Sequence, residues 1–443
     1  MTQIFKPHTG KIVVRGGRVI DPRQNIDRVA DVLIENGRIK SIGDHLSVSG
    51  AEEISAAGKV VAPGLVDVHV HLREPGGEAK ETIATGTRAA AAGGITSVIS
   101  MPNTNPPMDN ITDIQFVLGR AAQDASARVY PTGTISKGRE GNEMSEIGAM
   151  VRVGCVAITD DGAGVQSSQL LRRALEYTKT FGIPVMEHAE DASLFAGGVM
   201  NEGTVATRLG LKGIPRQAEY IMAARDIALA ELTGGRLHLT HMSTRESVAV
   251  IRHAKERGLN VTADVTPHHL VLTEDAVAEY MANAKVNPPL RTADDVAALR
   301  QGLKDGIFDC IATDHAPHTQ SEKAQEFSEA PFGLIGLETS LPLIVTELVR
   351  AGVLTLSEMI HRMSDVPARI FKLPGGSLEA GANADVVIFD PEAKQTFTRF
   401  VSRSQNSPFL GWQLYGVVER TIVGGHSVYV RTASDAPSPV PHH

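Results

Sequence analysis

The sequence of 443 residues predicts an α/β protein, a (β/α)8 barrel carrying a small β-sandwich domain assembled from both ends of the chain. Three observations carry this reading. Eight short apolar runs alternate with Ala-rich helical stretches through the middle of the chain, the pattern of repeated βα units and a parallel sheet. Seven of those runs end in polar residues, mostly His, Asp or Asn, and such barrels build their active sites at the C-terminal ends of the strands. The two ends of the chain are β-rich, and each is too short to form an independent sandwich.

The elements follow in order. Residues 1–62 contain KIVVRGGRVID, ADVLIENGRIKSIG and GKVVAPG, strand-like runs broken by Gly-Gly and Asn-Gly turn signals. Residues 63–373 form the barrel. Its predicted strands are LVDVHVHL, GITSVISMPN, ARVYPTGTIS, CVAITDDG, IPVMEHAED, RLHLTHMST, LNVTADVTPHH and FDCIATDHAPH. Helical stretches such as ETIATGTRAAAAGG and SQLLRRALEYTKTFG lie between them. Residues 374–431 return to β-type runs, GANADVVIFDP and ERTIVGGHSVYV. Residues 432–443, TASDAPSPVPHH, are Pro/Ser-rich and read as a flexible tail.

Composition excludes whole classes of function. An apolar content of 42% rules out disorder over most of the chain. A net charge of −8 argues against a nucleic-acid or anionic-membrane surface, and 4% aromatic residues leave few stacking platforms. Two cysteines, Cys155 and Cys310, make no disulfide framework and suit a reducing cytoplasm. The longest apolar or Gly-rich stretch, near Ala89–Met101, is too short to span a bilayer. MTQIFKPHTGK carries no secretory h-region.

The histidines point to a metal. His69 and His71 lie two apart at the end of the first barrel strand, on one face of it. Two converging imidazoles repel once protonated but share a divalent cation readily. Exposure as a plain surface pair is disfavoured by Leu65, Val66, Val68 and Val70 around them. His188 ends the fifth strand, His241 the sixth and Asp314 the eighth. One such His would be a satisfied core residue, but several at successive strand ends suggest ligation. His238, three before His241, is expected on the other strand face, and helical His253 and His361 carry no predicted role. His8, His45, His426, His442 and His443 lie outside the barrel. The fourth strand offers Asp160 and Asp161, which face opposite ways, so only one of them should point directly at a metal, and either could instead be a turn or helix-cap residue before Gly162. A carboxylate there could bridge two cations at the ~3.5–4 Å of two-metal hydrolases.

These residues resemble the amidohydrolase superfamily, with HxH on strand one, later single histidines and a final Asp. DVHVHLREPGGEAKETI, SMPNTNPP, TDDGAGVQ, EHAED, HMSTRES, TPHHL, NPPLR, ATDHAPH and APFG are similar to dihydroorotases of the bacterial class I type. The resemblance runs over nearly the whole chain. It implies a zinc-dependent enzyme with metal ligands His69, His71, Asp161, His188, His241 and Asp314, and two zinc ions per subunit bridged by Asp161. Asp161 matches the second Asp of TDDG, and VAITDDG offers no lysine to serve as the carboxylated bridge of other relatives. It implies substrate contacts from His71, Arg73, Asn103, Asn287, His318, Phe332 and Gly333. The implied reaction is the reversible hydrolysis of (S)-dihydroorotate to N-carbamoyl-L-aspartate, in de novo pyrimidine biosynthesis (UMP).

Amide hydrolysis at neutral pH needs a nucleophile better than water. A cation brings the pKa of bound water from 15.7 towards ~7 and polarises the carbonyl, and Asp314 is the expected general acid/base. Arg73 supplies a fork for the substrate carboxylate unless Glu74 or Glu78 claims it. The polar segment 319–331 reads as a mobile loop over the site. A homodimer is the family expectation, and association with aspartate transcarbamoylase is compatible with activity. Two other readings compete. A hydantoinase or allantoinase would share fold and metals, but LREPG and the missing lysine count against it. A non-catalytic scaffold would have lost ligands that this chain keeps.

Overall fold

The computed structural model describes residues 6–432. The predicted tail beyond Thr432 lies outside the described residues.

The eight expected barrel segments close in sequence order. Leu65–Val70, Ile95–Ser100 and Arg128–Pro131 pair in parallel, as do Val185–Glu187, Leu237–Leu239, Val261–Val265 and Cys310–Ile311. Three single-residue bridges complete the ring. Ile158 joins Gly133 to Val185, and His315 returns to Val70. The fourth run is therefore a strand only at Ile158. Its backbone still carries the ladder, with Val156 N donating to Pro131 O, Thr159 N to Gly133 O and Met186 N to Ile158 O. Beyond that point the chain turns to aim two carboxylates in different directions.

Inside the ring lie Val66, Val68, Ile99, Met101, Tyr130, Val156, Met186 and Ala312, plugged at the far end by Phe371. Outside it, helices such as Ile83–Ala92, Ile111–Asp124, Ser168–Thr178 and Arg245–Glu256 bury their apolar faces on the strands. Thr82, Asn110, Ser167 and Thr244 cap these helices through side-chain oxygens, which fixes where each helix leaves its loop. Cys155 and Cys310 are both buried free thiols.

The chain ends build one mixed sheet of eight strands. Lys11–Asp21 pairs antiparallel with Ile26–Glu35 and parallel with Val60–Pro63, which pairs antiparallel with Val386–Thr396. The sheet wraps around its own core of Ile12, Val14, Val32, Ile34, Val61, Val386 and Ile388. Asn36–Gly37 is a turn, as expected, but Gly16–Gly17 is not. It is a bulge inside Lys11–Asp21, where a Cβ on Gly17 would come within 2.5 Å of Val61. Arg128 of the third barrel strand grips Asp385 through two buried bonds of 2.7 and 3.0 Å, fastening the sheet to the barrel. No helix of the described residues is long and apolar enough to cross a membrane.

Candidate metal centre

The C-terminal ends of the strands converge on Asp161. Its Oδ1 lies 3.2 Å from His69 Nε2, 3.6 Å from His241 Nε2 and 3.9 Å from His188 Nδ1. Its Oδ2 lies 3.5 Å from His71 Nε2. Asp314 Oδ1 stands 3.0 Å from His71 Nε2 and 3.5 Å from His69 Nε2. The groups fall into two triads, His69–His71–Asp161 and Asp161–His188–His241, with Asp161 common to both.

Tetrahedral zinc with bonds of 2.0–2.2 Å separates its ligand atoms by about 3.3–3.6 Å, close to these spacings. The donor set fits as well. His69 Nδ1 and Nε2, His241 Nδ1 and Asp161 Oδ1 are buried without a hydrogen-bond partner, a cost that a cation removes for those atoms it reaches. The residues present therefore fit a bound divalent metal, with Asp161 common to both triads.

Neighbouring groups set the orientation of these side chains. His71 Nδ1 donates to Asn103 Oδ1 at 2.8 Å, leaving Nε2 to face the centre. Asp67 accepts from His69 N and from both Thr313 N and Oγ1, tying the first strand to the eighth. Asp160 turns away and caps Ile135 N and Ser136 N, whereas Asp161 points inward. Arg139 holds both of their backbone carbonyls. Three of these residues have left-handed backbone: Arg73 (φ 60°), His241 (φ 40°) and Asp314 (φ 48°). Non-glycine residues pay roughly 1–2 kcal/mol for this, and such strain gathers at functional sites.

His238 takes the satisfied core place expected of it. The His238 side chain and the His241 backbone amide both meet Asp264. His238 Nε2 bonds Oδ2 at 3.0 Å and His241 N donates to Oδ1 at 2.8 Å. His238 is a satisfied core residue, with Nδ1 on Thr262 and its ring edge-on to Phe371.

Electrostatics follow from burial and proximity. Burial alone would drive the His69 imidazole down, but Asp161 and Asp314 outweigh it and push it up to about 10. Despite the cost of burial, the surrounding imidazoles hold Asp161 and Asp314 well below the usual carboxylate range. At neutral pH the metal-free His69 therefore carries a proton that a cation must displace. Zinc loading of the metal-free protein at pH 7–8 is expected to release protons, read by calorimetry in buffers of different ionisation enthalpy.

A cavity of about 200 Å³ opens above the centre. It is lined by His71, Arg73, Asn103, Asn287, His318, Phe332 and Gly333 together with Asp161, His188, His241 and Asp314. A larger groove at the other end of the barrel, about 760 Å³ beside Phe371, contains no ligating cluster. Arg73 makes no ion pair among the described residues. Glu74 is taken by Arg120 and by Ile83 N, and Glu78 by Gly76 N. Arg73 Nε donates to Pro317 O at 3.2 Å, and its Nη2 lies 3.3 Å from His318 Nε2. His318 Nε2 donates to Phe332 O at 2.8 Å, and burial with Arg73 nearby pushes its imidazole down to about 2, so it stays neutral.

Sequence reasoning missed several residues that shape this site. Asn406, from the C-terminal segment, accepts from His318 N and donates to Ala316 O and Gly333 O, each at 3.1 Å. Asn406→Ala would strand three buried groups, so we expect a weaker KM and a melting temperature lower by several degrees, read by kinetics and calorimetry. Glu219 anchors the loop after His241 by accepting from Ser243 and Thr244. Segment 319–331 contains a capped turn of helix, Gln320–Lys323, and buries Phe327 and Ala330, so it is more built than its polar sequence suggested.

Comparison with known proteins decides the family. The chain is 52% identical over 423 residues to a dihydroorotase of Geobacter metallireducens, covering 95% of this chain and all of that one. It is 53% identical to a dihydroorotase of Syntrophotalea carbinolica over 95% of this chain and 99% of the relative. This chain belongs to the dihydroorotase family. A family model described as Dihydro-orotase-like matches residues 58–247, a stretch that includes the first six barrel segments and His241. Among solved structures, the L-hydantoinase (dihydropyrimidinase) of Arthrobacter aurescens superposes with a TM-score of 0.85 at 26% identity, covering 97% of each chain. A dihydropyrimidinase of Brevibacillus agri NCHU1002 gives 0.83 at 25%, covering 94% of this chain and 95% of that one. The dihydroorotase-family chain thus shares its barrel and end-built sheet with hydantoinases and is closer in sequence to dihydroorotases.

Proposed function

We propose that this enzyme opens and closes (S)-dihydroorotate, interconverting it with N-carbamoyl-L-aspartate in de novo pyrimidine biosynthesis, with two zinc ions held by His69, His71, Asp161, His188, His241 and Asp314. The observation that carries the reading is a guanidinium, Arg73, with no ion pair among the described residues, facing the same cavity as the ligating cluster. A cyclic ureide bearing a carboxylate matches that pairing.

A bound divalent cation supplies an acidified water and a polarised carbonyl. The chain does the rest. Arg73 receives the substrate carboxylate in a two-bond fork. Asn103, Asn287 and His318, with the backbone at Phe332–Gly333, hold the ring. Asp314, kept ionised by His71 and His69, takes the proton of the attacking water and returns it to the leaving ring nitrogen.

One observation favours a second reading. The structural neighbours are hydantoinases, so hydantoin is the competing substrate. Against it, the residues lining the cavity include no lysine that could serve as a carboxylated bridge. The purified protein should be assayed on L-dihydroorotate, hydantoin and allantoin, before and after chelation and zinc return. We expect opening of dihydroorotate alone, lost on chelation and restored by zinc. Opening of hydantoin with dihydroorotate untouched would overturn the proposal.

A further inference from the structure

Two lysines beside the cavity are buried without a carboxylate partner. Lys285 is 2% exposed and Lys323 8%, and neither makes an ion pair among the described residues. Their ammonium groups face backbone carbonyls instead. Lys285 Nζ donates to Phe327 O at 2.7 Å and Ser328 O at 2.9 Å. Lys323 Nζ donates to Ala282 O at 2.9 Å, Pro331 O at 2.8 Å and Lys285 O at 3.4 Å. The pattern is reciprocal. Lys285, two residues before Asn287, reaches into the loop before Phe332. Lys323, inside that loop, reaches back to the segment before Asn287. Gly333 N donates to Lys285 O at 2.8 Å between them, and Lys285 Nζ also sits 4.7 Å from the centroid of the Phe332 ring.

We propose that Lys285 and Lys323 are positioning residues that lock the loop carrying His318, Phe332 and Gly333 onto the segment carrying Asn287, so that the ring-holding groups are set before substrate arrives. The inference rests on the functional reading above.

An ammonium is suited to this because it offers three donors that rotate to meet carbonyls at different angles. The carbonyls at 282, 285, 327, 328 and 331 need partners once the loop packs down. The arrangement is costly. Burial pushes Lys285 down to about 8. It pushes Lys323 down to about 7, with the Lys285 and Arg73 cations adding to the effect. Glu329 and Glu322 pull the other way without pairing with either lysine, and Glu322 is bonded to Lys80 instead. An apolar side chain would avoid the charge but leave the Phe327, Ser328 and Pro331 carbonyls without these donors, and the two segments joined by the Gly333 N–Lys285 O bond with no lysine bridge.

The test uses zinc-loaded wild-type enzyme with Lys285→Met, Lys323→Met and Lys323→Ala. For the two Met variants we expect KM for dihydroorotate to rise about tenfold or more with kcat within about twofold and zinc content unchanged, the pattern of lost binding-site order. Added methylammonium or ethylammonium should restore KM in Lys323→Ala and leave the wild type unaffected. Variants that fold, hold zinc and keep wild-type KM would overturn the proposal. If the variants do not fold, amide exchange on the unliganded wild type decides. Protection of Gly333 N comparable to that of barrel strands supports the lock, and rapid exchange there refutes it. Should the wild type open no dihydroorotate, the functional reading fails, and the exchange measurement judges the lock separately.

Discussion

Replacing Asp314 by Asn is expected to lower kcat for dihydroorotate about 10²–10⁴-fold, the range for losing a general acid/base. Asn is the informative choice. Asp314 has left-handed backbone at φ 48°, which Asn tolerates better than Ala, so the fold is kept while the charge is removed. The amide retains one acceptor oxygen near His71 but cannot take a proton. Zinc content, read by atomic emission, should fall much less than turnover, because five other predicted ligands stay in place. Turnover and zinc falling in parallel would mean that Asp314 acts only by holding metal. Turnover within tenfold of wild type would remove Asp314 from the proton path altogether.

Arg73→Ala has the second largest expected effect, about 10²–10³-fold on kcat/KM, from two charge-assisted hydrogen bonds of about 1.5–3 kcal/mol each, less what water recovers. The loss should fall on dihydroorotate turnover far more than on zinc content, since Arg73 touches no predicted ligand except through space. Arg73→Lys makes the case sharper. It keeps the charge and the backbone demand of φ 60° but loses the planar fork, so it should recover only part of the activity. Equal loss of activity and zinc in Arg73→Ala would count against a substrate role.

The parts of the site legible in sequence are those written locally. HxH at the end of an apolar run, and single His or Asp residues closing later runs, reveal themselves because strand periodicity and barrel topology say where a strand end must lie. The choice of Asp161 over Asp160 came from motif resemblance. The structure gives it a physical basis, since the Asp160 carboxylate is consumed by the backbone at Ile135 and Ser136. What was not legible depends on distant approaches. Asn406 lies 88 residues from the His318 amide it holds, and Lys285 lies 42 from Phe327. No local pattern marks either. Gly16–Gly17 carries the composition of a turn but sits in a bulge, where the close approach of Val61 demands a residue without Cβ.

The sheet built from both chain ends has a consequence for how the protein is made. Val61 pairs with Ile388, more than three hundred residues later. At about 5–20 residues per second, a ribosome needs roughly 15–65 s to synthesise the stretch between them. Throughout that interval one edge of Val60–Pro63 has no strand beside it, and the nascent chain carries a β-edge open to other chains. The barrel can gather its helices as they emerge, but the sheet that clasps it can be completed only after Val386–Thr396 has left the ribosome. Slowing translation anywhere between Pro63 and Val386 should therefore aggregate this protein more than the same delay after Thr396.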